Sequence, residues 1–536
     1  MKPPSANIAS ALVEMARQQP ESLAIAAPRG GAPRGPEHDL CWTYAELNRA
    51  SDVLARGLEA KGIGRGVRTA LMVTPSLELF ALTFALFKVG AVPVLVDPGI
   101  GLKNLKVCLA EAEPEAFIGV TRAHVARVLF GWASQTLKTL VTVGPRLFWG
   151  GHSQASIEAA GAGQEPYEMA STDADEMAAI LFTSGSTGVP KGVIYRHGNF
   201  LAQVEAIRDV YGITPGEVDL PTFPLFGLFD PALGMSTVIP RMDATRPAAV
   251  DPLEIIDAVK AYGVTNMFGS PALLNTVGRY GDREGVKLPT LRRVISAGAP
   301  VAPSVMERVL RMLEEGAEVV TPYGATESLP VSSIGSGEVL GSLKDRIRDG
   351  AGVCVGRPLP NVELDVIQIS DDPIASWDQL VPQPRGEVGE VVVRSPMVTT
   401  GYFNRPGSTA SAKIPTPQGG VAHRMGDLGF MDDEGRLWFC GRTSQRVQTS
   451  AGVLFTVPCE LVFNEHPAVY RSALVGVRRD GETAPVVCVE LEAEARVKPD
   501  VLQSELRALA ASQPHTASIE TFLVHKGFPV DIRHNA

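Results

Sequence analysis

Along this chain, short apolar runs alternate with longer amphipathic stretches. Residues 67–74 form a short apolar run, 76–89 have helical length and composition, and 91–96 are again strand-like, ending at Asp97-Pro98. Strand, helix and strand in that order predict a β-α-β unit, and hence a parallel sheet covered by helices. The rhythm returns at strand 265–269, a helix from Pro271, strand 293–296, a helix from Pro303 and strand 318–321. It changes between 362 and 394. There, 362–368 and 390–394 are β-rich runs among Pro/Gly-rich turns, which predict a small antiparallel subdomain. Residues 28–39 and 150–175, rich in Gly, Pro, Ser and acidic side chains, read as loops. After Arg442 the polar run 443–452 reads as a joint. A second small α/β unit follows, with helices near 457–464 and 499–512 around strands 473–477 and 484–491.

Composition narrows the class. A chain of 536 residues is too long for one ordinary core and predicts several domains or subdomains. With 45% hydrophobic and 20% charged residues it reads as a globular protein. The net charge of −10 argues against a general nucleic-acid binder, which needs clustered Lys and Arg. A nucleotide needs only a few local donors, so ATP is not excluded. The six cysteines are scattered without a C-x-x-C pair, which predicts reduced thiols in a cytoplasmic enzyme. Residues 1–20 lack the apolar core of a signal peptide. The most apolar stretch, 79–96, contains Lys88 and Gly90 and reads as a helix followed by a strand, not a membrane span.

The chemistry concentrates after an apolar strand at 178–182. It runs into Thr183-Ser184-Gly185-Ser186-Thr187-Gly188-Val189-Pro190-Lys191-Gly192. Glycines let backbone N–H groups approach phosphate oxygens, the hydroxyls add donors, and Lys191 adds a point charge. It is not a G-x-x-x-x-G-K-[ST] loop, because Lys191 does not follow a glycine. The plain alternative is a hydrophilic hairpin turn. Further on, Tyr323-Gly324-Ala325-Thr326-Glu327 ends a predicted strand, and a carboxylate beside a hydroxyl suits Mg²⁺. A capped helix start is its plainer reading. In Arg424-Met425-Gly426-Asp427, the Asp427 carboxylate suits two ribose hydroxyls.

Thr-Ser-Gly-Ser-Thr-Gly-x-Pro-Lys-Gly resembles the hallmark of the adenylate-forming superfamily, which includes acyl-CoA synthetases, peptide-synthetase adenylation domains and firefly-type luciferases. Arg196-His197-x-Asn199, Tyr323–Glu327, Ser296-Ala297-Gly298-Ala299-Pro300, Arg424–Gly429 and Gly441-Arg442 resemble its other motifs, across nearly the whole chain. The resemblance implies an α/β fold. A large N-terminal domain, 1–442, would hold two helix-covered sheets and a small β-barrel-like subdomain. A smaller mobile α+β lid, 443–536, would follow. It implies ATP and Mg²⁺ as cofactors. It also implies phosphate contacts from Thr183–Gly188, Lys191 and Thr326, and a metal ligand in Glu327. Adenine would meet Gly298, Ala299, Pro300, Tyr323 and Gly324, and the ribose would meet Asp427 and Arg442. Lys191, Thr326 and Glu327 would be catalytic.

Two departures stand out. The hinge segment Thr443-Ser444-Gln445-Arg446-Val447-Gln448 lacks the usual acidic or lysine residue at Ser444. The family's lid also carries a catalytic Lys on a Gly-Lys-x-x-Arg loop, whereas this chain stops at Asp531-Ile532-Arg533-His534-Asn535-Ala536. That lysine is expected beyond Ala536.

The acyl pocket is expected at Phe226, Gly227, Phe229, Phe268 and Gly269, an aromatic set suited to an alkyl chain, although core packing explains it equally. The surroundings (227–235, 240–243, 268–274 and 533–536) resemble one subgroup, the β-lactone synthetases of bacterial long-chain olefin biosynthesis. That implies adenylation of a 2-alkyl-3-hydroxy acid and ring closure by its own 3-hydroxyl. It also implies association with neighbouring pathway enzymes, including a β-lactone decarboxylase. His197 is a candidate base, with a structural role the plainer reading. The alternatives are a medium- or long-chain fatty acid-CoA ligase and a non-catalytic nucleotide- or acyl-binding protein.

Overall fold

The structure is a computed structural model that describes residues 6–528, apart from 32, 164, 183–189 and 480. The first β-α-β unit forms as its pattern predicts, with strands Arg68–Met72 and Val92–Leu95 around the helix Leu77–Lys88. They belong to a seven-stranded sheet. Its central strands are parallel, and its last strand, Gly192–Arg196, runs antiparallel to Met177–Phe182.

The second series also forms. Strands Val218–Pro221, Asn266–Phe268, Arg293–Ile295 and Glu318–Ala325 lie parallel and adjacent. The expected small β-subdomain is not a separate sheet. Ser328–Gly335 pairs with Glu318–Ala325 on one side and with Val353–Pro358 on the other, so the antiparallel strands continue the parallel ones into one 14-stranded sheet. Backbone groups at a sheet edge need partners, and this junction supplies them.

The helix Leu77–Lys88 explains how the two sheets meet. Every residue in it except Glu78 is buried. It shares a core with Ile25 of the large sheet and with Ile118 and Ala178 of the smaller one. A helix apolar on all faces is stable only when surrounded, as here. Lys88, fully buried at its C-terminal end, is held by Asp52 at 2.6 Å, Asn48 Oδ1 at 2.7 Å and Ser51 at 2.8 Å. Burial nonetheless pushes its pKa down. Among the described residues no helix is long and apolar enough to cross a membrane.

Two loop expectations are corrected. Within 150–175, the helix Gln154–Ala160 forms, capped by the Ser153 hydroxyl. The joint after Arg442 contains a hairpin, Val447–Thr449 with Gly452–Leu454. Beyond it, three strands and the helices Thr456–Asn464 and Pro499–Ser512 close a separate core around Phe463, Val487 and Leu506. All six cysteines are free.

Candidate active site

The Tyr323–Glu327 motif forms a tight turn rather than a helix start. Its strand reverses at Thr326-Glu327, and Ala325 pairs directly with Ser328. Thr326 and Glu327 therefore occupy the hairpin tip. A second strand pair places the ribose candidates. Asp427, in Val421–Met431, lies opposite Arg442, in Leu437–Arg442. Their side chains meet at 2.7 Å. The Tyr323 hydroxyl donates to the other Asp427 oxygen at 2.6 Å. Burial pushes the Asp427 carboxyl up, and Arg442 pulls it down.

Lys191 follows the phosphate-loop candidate. Residues Thr183–Gly188 lie outside the described residues, but their anchors do not. Phe182 and Gly192 sit opposite each other in an antiparallel pair. The strand after Lys191 is fastened by Phe403 N–H donating to Gly192 O at 2.7 Å and by a bridge between Val193 and Tyr402. These contacts bring the Tyr402 ring to 5.0 Å from Lys191 Nζ, and the Tyr402 hydroxyl donates to Glu327 Oε1 at 2.6 Å. Lys191 and Glu327 thus flank one tyrosine.

These groups share a cleft of 1020 Å³. Lys191, Gly298, Ala299, Pro300, Gly324, Thr326, Glu327 and Arg442 are on its wall, as are Phe226, Phe229 and Phe268. Gly298 has φ of +95°, a conformation that favours glycine and brings backbone to the wall. Tyr323 and Asp427 stand behind the wall, with the Tyr323 ring 6.2 Å from that of Phe439. Gly227 and Gly269 face packing rather than the cleft. A Cβ on Gly227 would meet Pro221 at 2.8 Å, and one on Gly269 would meet Leu274 at 3.0 Å.

His197 is fully engaged elsewhere. Its Nδ1 accepts the Ile8 N–H at 3.2 Å, and burial lowers its pKa to about 4. It ties the N-terminal segment to the helix His197–Tyr211 and is not on the cleft wall. Arg424 is also structural, although it touches the cleft. It clamps Glu390 with two bonds, of 3.0 and 2.6 Å, and gives its remaining donors to backbone carbonyls.

Sequence patterns did not single out Tyr402 or Lys413. Lys413 is buried behind the site. Its Nζ donates to Thr399, whose hydroxyl donates to the Glu327 carbonyl, and burial lowers its pKa to about 7. A lysine in the polar segment 405–420 carries no local sign of burial.

The model of the AMP-binding enzyme family matches residues 12–403. An olefin beta-lactone synthetase of Stenotrophomonas maltophilia (strain K279a) is 52% identical, over 99% of this chain and 96% of that protein. One from Xanthomonas campestris pv. campestris is 50% identical, over 99% of this chain and 95% of that protein. In fold, the chain is similar to the amide bond synthetase McbA from Marinactinospora thermotolerans, with a TM-score of 0.80, 23% identity, and 99% and 97% of the two chains covered. With motif residues from Lys191 to Arg442 converging on one cleft, and with full-length relatives at half identity, the chain belongs to the AMP-binding enzyme family and is an adenylate-forming ligase.

Proposed function

We propose that this chain uses ATP and Mg²⁺ to convert a long-chain 2-alkyl-3-hydroxy acid into a β-lactone, in olefin biosynthesis. The acid's carboxylate oxygen attacks the α-phosphorus and expels pyrophosphate. The resulting mixed anhydride is electrophilic at the acyl carbon. The 3-hydroxyl oxygen attacks that carbon, loses its proton, and expels AMP as the ring closes. A tethered nucleophile needs no second substrate, because proximity replaces a bimolecular encounter. The ring is strained, so a strongly activated acyl group is required.

The observation that carries this reading is one cleft with oxygen donors and cations at one end and aromatic rings at the other, in a chain half identical to olefin beta-lactone synthetases. Thr183–Gly188, Lys191 and Thr326 bind phosphates, and Asp427 with Arg442 binds ribose. Gly298, Ala299, Pro300 and Gly324 line the adenine side. Tyr323 acts by holding Asp427. Phe226, Phe229 and Phe268 receive the alkyl groups. The oxygen chemistry of the hairpin tip suits Mg²⁺, which favours one or two carboxylates plus substrate phosphates. Glu327 would hold it, and the ion would neutralise triphosphate charge. The nucleotide-binding domain is 1–442, and 443–536 forms the lid. The enzyme works in the cytoplasm beside other olefin-pathway enzymes, including a β-lactone decarboxylase.

The test is incubation with ATP, Mg²⁺ and a 2-alkyl-3-hydroxy acid, with and without CoA, followed by mass spectrometry. A lactone formed without CoA is expected. A thioester formed only with CoA would establish the fatty acyl-CoA ligase reading instead.

A further inference from the structure

The aromatic residues of the cleft fall into two groups by their ring contacts. In one, the Phe268 ring lies 4.4 Å from Phe226, which lies 5.3 Å from Phe223. Phe268 ends a strand of the large sheet and Phe223 and Phe226 follow another, and Ala244 and Pro247 line the same cleft. In the other, Phe229 lies 6.1 Å from Phe200, which lies 5.9 Å from Phe87. This group sits between the helices Leu77–Lys88 and His197–Tyr211 and reaches Val204, Ala232 and Ile8. Among the described residues no ring contact joins the two groups.

The divider is one short segment. Phe226 and Phe229 are the two ends of the single 3₁₀ turn Phe226–Phe229, and each serves a different group. The turn is held from below. Asp230, which follows it, accepts the Thr237 hydroxyl at 2.8 Å, and Gly227 packs against Pro221 and Thr237 without room for a side chain. These contacts hold the turn in place between the two ring groups.

We infer that the apolar end of the cleft is forked, with one branch for each of two alkyl chains on an α-branched acid. The first branch runs past Phe226 and Phe268 toward Ala244. The second runs past Phe229 and Phe200 toward Ile8. An unbranched acid would fill only one branch and leave the other's apolar wall wet, so the fork selects for acids substituted at both carbons. This inference rests on the 2-alkyl-3-hydroxy acid reading of the substrate.

The test plugs one branch at a time. A244F narrows the first branch and V204F the second. Two substrate series are compared, one varying only the 2-alkyl chain and the other only the chain beyond the 3-hydroxyl. The readout is acid-dependent pyrophosphate release, which does not depend on lactone closure. Each plug should lower the long-to-short ratio of kcat/KM about 10-fold in one series and not in the other, roughly the effect of excluding two methylenes. Both plugs acting on the same series, both acting on both, or neither acting on either overturns the fork. If V204F fails to fold, V204A lengthens the second branch and must shift that same series toward longer chains. A thioester rather than a lactone product would remove the preceding reading while leaving this result to stand or fall by itself.

Discussion

The two ends of the cleft are built on opposite principles. At the end proposed to bind the nucleotide, the carboxylates are tied to protein partners: Glu327 to Tyr402, and Asp427 to Tyr323 and Arg442. At the acyl end the wall is aromatic, and contacts between rings shape it. Directed bonds fix where a charge sits, whereas packing fixes how much space remains. A change of chemistry at constant shape should therefore damage the first end, and a change of volume should damage the second.

E327Q tests this most severely. It keeps the size and removes the charge, so acid-dependent pyrophosphate release should fall by about 100-fold or more, the usual effect of losing a transition-state charge partner. A loss below tenfold with normal folding would take Glu327 out of the chemistry. D427N comes next. It strips Arg442 of its ionic partner, and KM for ATP should rise roughly 10-fold or more while KM for the acid stays within a factor of two or so. F226A reverses the pattern. It should lower kcat/KM for the acid about 10-fold and leave KM for ATP nearly unchanged. If D427N and F226A disturb both substrates equally, the two ends are not independent.

The smallest effect concerns what lies under the acyl end. Asp219 and Asp230 are buried together. Burial raises Asp219 to about 7, and burial plus the neighbouring Asp219 raises Asp230 well above its ordinary value. Both folded values exceed the ordinary value near 4. The stability they contribute is therefore complete at low pH and is lost as pH rises through about 7. D230N keeps a hydrogen-bonding group without the charge. The melting temperature of the native chain should drop about 2–4 °C more than that of D230N between pH 5 and pH 8, as scanning calorimetry would show. Parallel curves would mean that Asp230 is already ionised in the folded chain over that range, as it is in the unfolded one.

The motifs assigned to the proposed nucleotide end were visible in the sequence because their chemistry is local. Glu318–Ala325 and Val421–Met431 carry their motifs on contiguous backbone, and alternating strands and helices announce themselves by period. Three features were not legible. Tyr402 reaches Glu327 across 75 positions and Tyr323 reaches Asp427 across 104, through sheet pairings no local pattern encodes. The motif Arg196-His197-x-Asn199 reads the same whether His197 faces a substrate or, as found, receives the backbone of Ile8. At Thr326-Glu327 a capped helix start stayed open as the alternative to a strand end, because the same small polar residues suit a helix cap and a hairpin.

The sequence alone determined an α/β fold and a phosphate-binding loop, and through its resemblance to the adenylate-forming superfamily it implied an enzyme that activates an acid with a nucleotide. Gly, Ser, Thr and Lys side by side have few other uses at a strand end. Tertiary structure decided the rest: which aromatic rings face the cleft, and that Gly227 and Gly269 pack instead of lining it. The reason is physical. Backbone donors and charges act over one bond length and can be written in adjacent residues. The shape of a cavity is what remains after two sheets and the helix between them have packed, and every residue of that packing contributes to it.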